Sequence, residues 1–164
     1  MRPVVKVTKG AGGATGKFRA SLAALSKYQV YVGIPARRAP RPKGAKVNNA
    51  ELMFIHTNGS PLNHIPPRPV IEPAIGDPDN RKLFLPELEA ASKAALAGEA
   101  LQVKAHLNRA GLIAQNVCRA WFVSPKNGWP PNAPSTVRRK GSARPLIDTE
   151  ELRKSITYVV SDAG

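Results

Sequence analysis

The chain has 164 residues, 42% of them hydrophobic, with 16 prolines and 13 glycines; that length suits one domain with a sizeable core and leaves no room for two ordinary ones. Lys and Arg number 25 against 11 Asp and Glu, a net charge of +14 that favours nucleic acid, an anionic membrane face or an acidic protein surface as partner. The one cysteine, Cys118, excludes an internal disulfide framework and cannot alone build a zinc site.

In chain order, residues 1–16 form a basic, glycine-rich N-terminal segment in which Val4 to Thr8 is a short β-branched strand signal. Lys6 and Lys9 interrupt the apolar stretch that a signal peptide needs, and no apolar run approaches the ~18 residues of a membrane span. Synthesis in a reducing cytoplasm without secretion is therefore expected. Phe18, Leu22 and Leu25 stand at helical spacing behind Thr15 as a candidate cap. Tyr28 to Ile34 alternates, with Val30, Val32 and Ile34 on one face and Gln29, Tyr31 and Gly33 on the other, and Gly33-Ile34-Pro35 stops the strand. Residues 35–48 are basic, proline-rich and without apolar periodicity, the signature of an extended arm. Residues 1–50 carry eleven Lys or Arg and no acid before Glu51, so most of the charge is N-terminal.

A helix is expected from Asn49 to Asn58, closed by Gly59 in a left-handed cap. Asp77-Pro78 reads as an N-cap with proline at the first helical position, opening a helix to about Ala97 that Pro86 kinks or restarts. Gly98 separates it from the next. Residues 87–124 contain no proline, and there Val103, Leu107, Ala110, Ala114, Val117 and Trp121 form the apolar stripe of an amphipathic helix. This helix should run from about Glu99 to Val123 and end at Ser124-Pro125. Residues 124–146 hold five prolines and read as a second extended arm. Asp148 and Glu151 have capping-box spacing, placing one or two helical turns over Thr149 to Lys154, and Ser155 to Val160 alternates as a strand. Strands that flank a block of helices argue for an α+β fold: one domain over residues 1–164, a small antiparallel sheet packed on two or three helices, and long proline-rich loops.

Enzyme signatures fail on inspection. Gly10 to Lys17 departs from a phosphate-binding loop, with Ala11 where glycine is needed and Phe18 where a hydroxyl should follow the lysine. His56, His64, His106 and Cys118 lack metal-ligand spacing. Asp77 and Asp79 open a helix, where the helix dipole already accounts for carboxylates. A non-enzymatic protein with no cofactor and no metal is expected. Two stiff segments remain, Ile65-Pro66-Pro67-Arg68-Pro69 and Trp129-Pro130-Pro131-Asn132-Ala133-Pro134. Each is either a rigid surface loop or a protein contact with little entropy left to lose, and Trp129 is the natural anchor in the second case.

The order of segments resembles the tail-completion and neck proteins, the head-tail joining or minor tail family of long-tailed double-stranded DNA bacteriophages. The residues that carry the resemblance are Val32-Gly33-Ile34; Ala50 to Gly59 with Ile55-His56; Ile65-Pro66-Pro67-Arg68-Pro69-Val70-Ile71-Glu72-Pro73-Ala74; Pro130-Pro131; Thr136 to Gly141 with Arg139-Lys140-Gly141; Pro145-Leu146-Ile147-Asp148-Thr149; and Ser155-Ile156-Thr157-Tyr158-Val159-Val160. They span about residues 30–160. Thr57 replaces the family's usual Glu after the histidine, and Glu150 its glycine after Asp-Thr.

The resemblance implies a structural virion protein of the neck or tail top, a homo-oligomeric ring joining the head, at its portal or connector, to the tail around the DNA channel. Its partners would be neighbouring neck, connector and tail proteins and packaged DNA through non-specific phosphate contacts, with no membrane. A ring needs heterologous contacts, for which Trp129, Pro130, Pro131, Arg68 and Pro69 are the candidates. Arg37, Arg38, Arg41, Lys43 and Lys46, repeated around a ring, would make a basic belt facing DNA or an acidic surface, joined by Arg138, Arg139 and Lys140. The alternative is a stand-alone basic nucleic-acid-binding protein. Against it stand 5% aromatic residues and the lack of a stacking set within the basic stretch.

Overall fold

A computed structural model of the chain describes residues 27–35 and 47–162, with the single positions 16, 19, 20, 23 and 26. Those five are helical, in the region where a helix behind Thr15 is expected; Thr15, Phe18, Leu22 and Leu25 themselves lie outside the described residues, as does Val4 to Thr8.

The α+β architecture expected from the sequence is present. Strand β1 (Tyr28–Gly33) pairs antiparallel with β2 (Thr157–Asp162), with Val30 opposite Val160 and Val32 opposite Tyr158. Among the described residues the sheet has these two strands. Because two strands alone are marginal in water, the sheet depends on what its inner face covers. Tyr28, Val30 and Val160 pack on a cluster of Ala91, Ala94, Ala95, Val103 and Leu107, while Val32 joins a second cluster. Tyr31 and Val159, opposite one another, point outward and are exposed.

Helix α1 (Asn49–Asn58) has the expected bounds, and its start is a capping box not foreseen from the sequence: Asn48 Oδ1 accepts from the Glu51 amide at 2.9 Å, and Glu51 Oε2 accepts from the Asn48 amide at 2.8 Å. At Gly59 φ is 75° but ψ is 177°, so the expected left-handed cap is replaced by an extended turn. A Cβ there would stand 2.9 Å from Ile65 O and Pro67 N, which makes glycine necessary for a second reason. A 3₁₀ turn (Pro61–Asn63) follows, enclosed by the Ser60–Ile65 bridge. Then comes α2 (Ile71–Gly76), a short helix with no sequence signal of its own, next to the fully buried Val70 and containing the fully buried Ala74.

Helix α3 (Pro78–Ala97) starts as expected, with Asp77 Oδ1 accepting from the amides of Asp79 and Asn80. It passes unbroken through Pro86. Pro86 and Lys82 are both exposed, so the carbonyl that the proline leaves unbonded lies on the solvent side, where water can take its place. Gly98 closes the helix in the left-handed conformation, φ 80°, and α4 (Ala100–Trp121) returns antiparallel along it. All six stripe positions of α4 are buried, and Gly111, Gln115 and Cys118 widen the stripe. The N-terminal half of α4 carries the Val103 cluster. Its C-terminal half carries the larger core of Met53, Val70, Ala74, Cys118, Trp121, Phe122, Leu152 and Ile156.

The segment 124–146 departs from a plain extended arm. It contains a 3₁₀ turn (Pro125–Asn127) and helix α5 (Pro134–Lys140). Pro134 stands at the first helical position, where its missing amide costs nothing. The capping box expected at Asp148 and Glu151 does not form. Glu150 precedes α6 (Glu151–Ser155) in the left-handed conformation, φ 61°, without a side-chain cap. Leu146, also at positive φ, and Ile147 pack on the core together with Leu152, so apolar anchoring and not capping sets this turn. Ser155 completes α6, the fully buried Ile156 follows, and β2 begins two residues later than its alternation suggests.

Candidate functional site

The two proline-rich segments, 60 residues apart in sequence, grip one another. Arg68 lies between them with only 6% of its surface exposed. Its Nε and Nη2 donate to Pro130 O at 3.2 and 2.9 Å, and Nη2 also donates to Pro131 O at 3.1 Å. In the opposite direction, Trp129 Nε1 donates to Pro69 O at 3.0 Å, and its ring meets Phe122 edge to face at 5.8 Å. Proline makes the clamp workable: carbonyls in a stiff extended backbone hold their direction, and the residues lack an amide that would need its own partner. The strongest donors among the expected contact residues Arg68, Pro69, Trp129, Pro130 and Pro131 are thus engaged within the chain, with Trp129 half-buried against its own core. Pro130 and Pro131 remain exposed.

Three further groups gather at this clamp. The Arg68 amide donates to His56 O at 2.6 Å, bringing α1 alongside. Asn132, next after Pro131, donates through Nδ2 to the carbonyls of Ala143 and Arg144 at 3.2 Å each, and Lys140 Nζ donates to the same Arg144 O at 3.2 Å. Burial lowers the pKa of His56, and the nearby positive charges of Arg68 and Lys140 add to the effect. Lys140 is lowered by burial as well, with Arg68 and Arg139 pressing the same way and Asp148 opposing. Arg138 and Arg139 are exposed in the last turn of α5, where cations also complement the helix dipole. The expected belt residues Arg37, Arg38, Arg41, Lys43 and Lys46 lie outside the described residues.

Other polar groups serve the fold. Lys126 Nζ ties the end of the α4 helical hairpin to the start of α3 through Asp77 at 3.0 Å and Asp79 at 2.8 Å. Arg119 donates to the carbonyls of Ile156 and Lys154, fastening α6 to α4. His106 Nδ1 stands 2.7 Å from Glu87 Oε2, beside a shallow concavity of about 370 Å³ between α3 and α4. Cys118 is fully buried, and burial pushes its thiol up to about 12, away from nucleophilic use. Among the described residues no three His, Cys, Asp or Glu side chains converge as a metal site, and no helix is long and apolar enough to cross a membrane.

Sequence reasoning identified Arg68, Trp129 and the two proline segments as special but directed them outward. An arginine within one proline run and a tryptophan bordering another is a signal for mutual pairing that could have been weighed. Arg119 and His56 carried no such signal. The chain has no match among protein-family models, curated proteins or solved structures.

Proposed function

We propose that this protein is a structural, non-enzymatic component of a bacteriophage neck or tail top, assembling as a ring around the DNA path between head and tail. The observation that carries the reading is the ordered run of motif segments over residues 30–160. It gains support from the way those segments meet: Ile65 to Pro69 clamps Pro130-Pro131, His56 lies against Arg68, and Leu146-Ile147 packs into the same core that holds Ile156. Segments far apart in the sequence thus form one physical unit, as a rigid subunit of a ring requires.

The exposed edges left by this unit are Pro130, Pro131, Arg138 and Arg139, which suit a rim contact to a neighbouring subunit, an adjoining ring or DNA phosphates. The decisive test is location. Gold-labelled antibody against the chain should decorate the head–tail junction of particles made from the genome that encodes it, and particles free of label would overturn the assignment. The net charge of +14 favours a second reading, a stand-alone nucleic-acid binder. That protein would bind duplex or single-stranded DNA tightly as a monomer with a steep salt slope, whereas a neck subunit should bind weakly until assembled.

A further inference from the structure

Among the described residues the clamp gathers the cations of Arg68, Arg139 and Lys140, against which one nearby carboxylate, Asp148, acts on Lys140. Arg68 is nine-tenths buried, and Pro130 O and Pro131 O occupy its Nε and Nη2, while Nη1 has no acceptor among the described residues. Among the described residues Lys140 Nζ has a single acceptor, Arg144 O, for three donor hydrogens. His56 Nδ1 is buried with no hydrogen-bond partner among the described residues. Among the described residues no carboxylate oxygen comes within 4.0 Å of a nitrogen of Arg68, Arg139 or Lys140. The α5 dipole accounts for the exposed Arg138 and Arg139. It does not account for Arg68, which comes from a different segment and is buried.

Hydrogen bonds fix these groups in one place. Arg68 holds Pro131 O, the next residue Asn132 holds Arg144 O, and Lys140 holds that same oxygen. From the other side, the Arg68 amide holds His56 O. Two fixed cations with unspent donors, an imidazole behind them and a third cation at the rim match an anion that accepts several hydrogen bonds from different directions.

We propose that Arg68 and Lys140, with His56 behind them and Arg139 at the rim, form a binding subsite for a tetrahedral oxyanion of the phosphate class. The subsite stands on this geometry whether or not the chain is a virion protein. Its source is either free phosphate or the phosphate of a polynucleotide backbone, and the chemistry is the same. Burial first, and then the charges of Arg68 and Lys140, lower the His56 pKa. An anion here offsets those two charges, of which Asp148 already acts on that of Lys140, so binding favours protonated His56, and affinity rises as pH falls through the range in which His56 titrates.

The test uses the full-length protein and inorganic phosphate as probe, read by imidazole NMR, since the chain has only His56, His64 and His106. Phosphate should produce a saturable shift of the His56 resonances and raise the midpoint of the His56 titration, leaving His64 and His106 unmoved. Lys140→Met, which removes one charge and spares the Arg68 clamp, should weaken phosphate binding by about tenfold, the loss of one charge-assisted contact. Absence of a saturable His56 response, or an equal response in Lys140→Met, would overturn the proposal. A short DNA duplex added to the phosphate complex then separates the sources: displacement of phosphate assigns the subsite to a polynucleotide backbone, and retention of phosphate assigns it to the free ion.

Discussion

Gly111 sits in the middle of α4, where glycine costs about 1 kcal/mol of helix propensity relative to alanine, and the reason for it lies across the domain. A Cβ built there would fall on Tyr158 Cδ2 and lie only 2.9 Å from Cγ and 3.1 Å from Cε2, against 3.4–4 Å for ordinary contact. The ring would have to retreat by about half an ångström at Cγ and further at Cδ2. Because Cγ is tied to the strand through a single carbon, β2 must shift with it, disturbing the Val32–Tyr158 and Val30–Val160 pairs that join the two clusters. Overpacking of this kind costs about 1–3 kcal/mol, so after the helix-propensity gain Gly111→Ala should lose about 1 kcal/mol net, or a Tm lower by about 2–4 °C. Denaturant unfolding of Gly111→Ala, Tyr158→Ala and the double variant measures the coupling directly. Without the ring, the alanine should be neutral or stabilising. Gly76→Ala, at a helical glycine whose added Cβ would meet nothing within 4 Å, serves as the control. A Gly111→Ala protein more stable than wild type by the ~1 kcal/mol of helix propensity would refute the close approach of α4 to β2.

Three further outcomes are expected. Glu150→Gly should stabilise the domain by about 0.5–1 kcal/mol in denaturant unfolding, because the left-handed backbone strain at φ 61° outweighs two loose ion pairs, to Arg153 at 3.5 Å and Lys154 at 3.7 Å; a less stable variant would mean those pairs dominate. Trp129→Ala should lower stability by about 2 kcal/mol and speed tryptic cleavage across 124–146, because its ring and Nε1 hold that segment to Phe122 and Pro69, and unchanged cleavage would show that the clamp is dispensable. For pH, hydrogen bonds from Lys126 and then Lys82 hold Asp79 down from 3.8 to about 2. A depressed carboxylate contributes stability above its unfolded pKa and loses it as pH falls through the folded one, so wild type should lose stability between about pH 4 and pH 2, and Lys126→Met should flatten that limb in acid titrations followed by circular dichroism.

Local chemistry made much of this protein legible. The 4-3-4-3-4 apolar spacing of α4, the Asp77-Pro78 start of α3 and the Gly98 break are decided within a turn or two of chain, so they read directly from the sequence and persist in the fold. The same holds for α1 and for the alternation of β1. The α2 and α5 helices escaped notice because helices of six or seven residues owe their existence to what they pack on, and the proline density around α5 resembles an extended arm until Pro134 is seen at the first helical position. The Asp148 capping signal lost to the burial of Leu146, Ile147 and Leu152, a contest between one exposed hydrogen bond and several apolar side chains. For the candidate site, the sequence identified the residue types, two stiff proline runs with an arginine and a tryptophan, but not their direction. Whether Arg68 reaches outward to a partner or inward to Pro130 and Pro131 depends on contacts 62 and 63 residues away, and only the tertiary structure, by anchoring Val70 and Trp129 beside the two segments in one core, decided it.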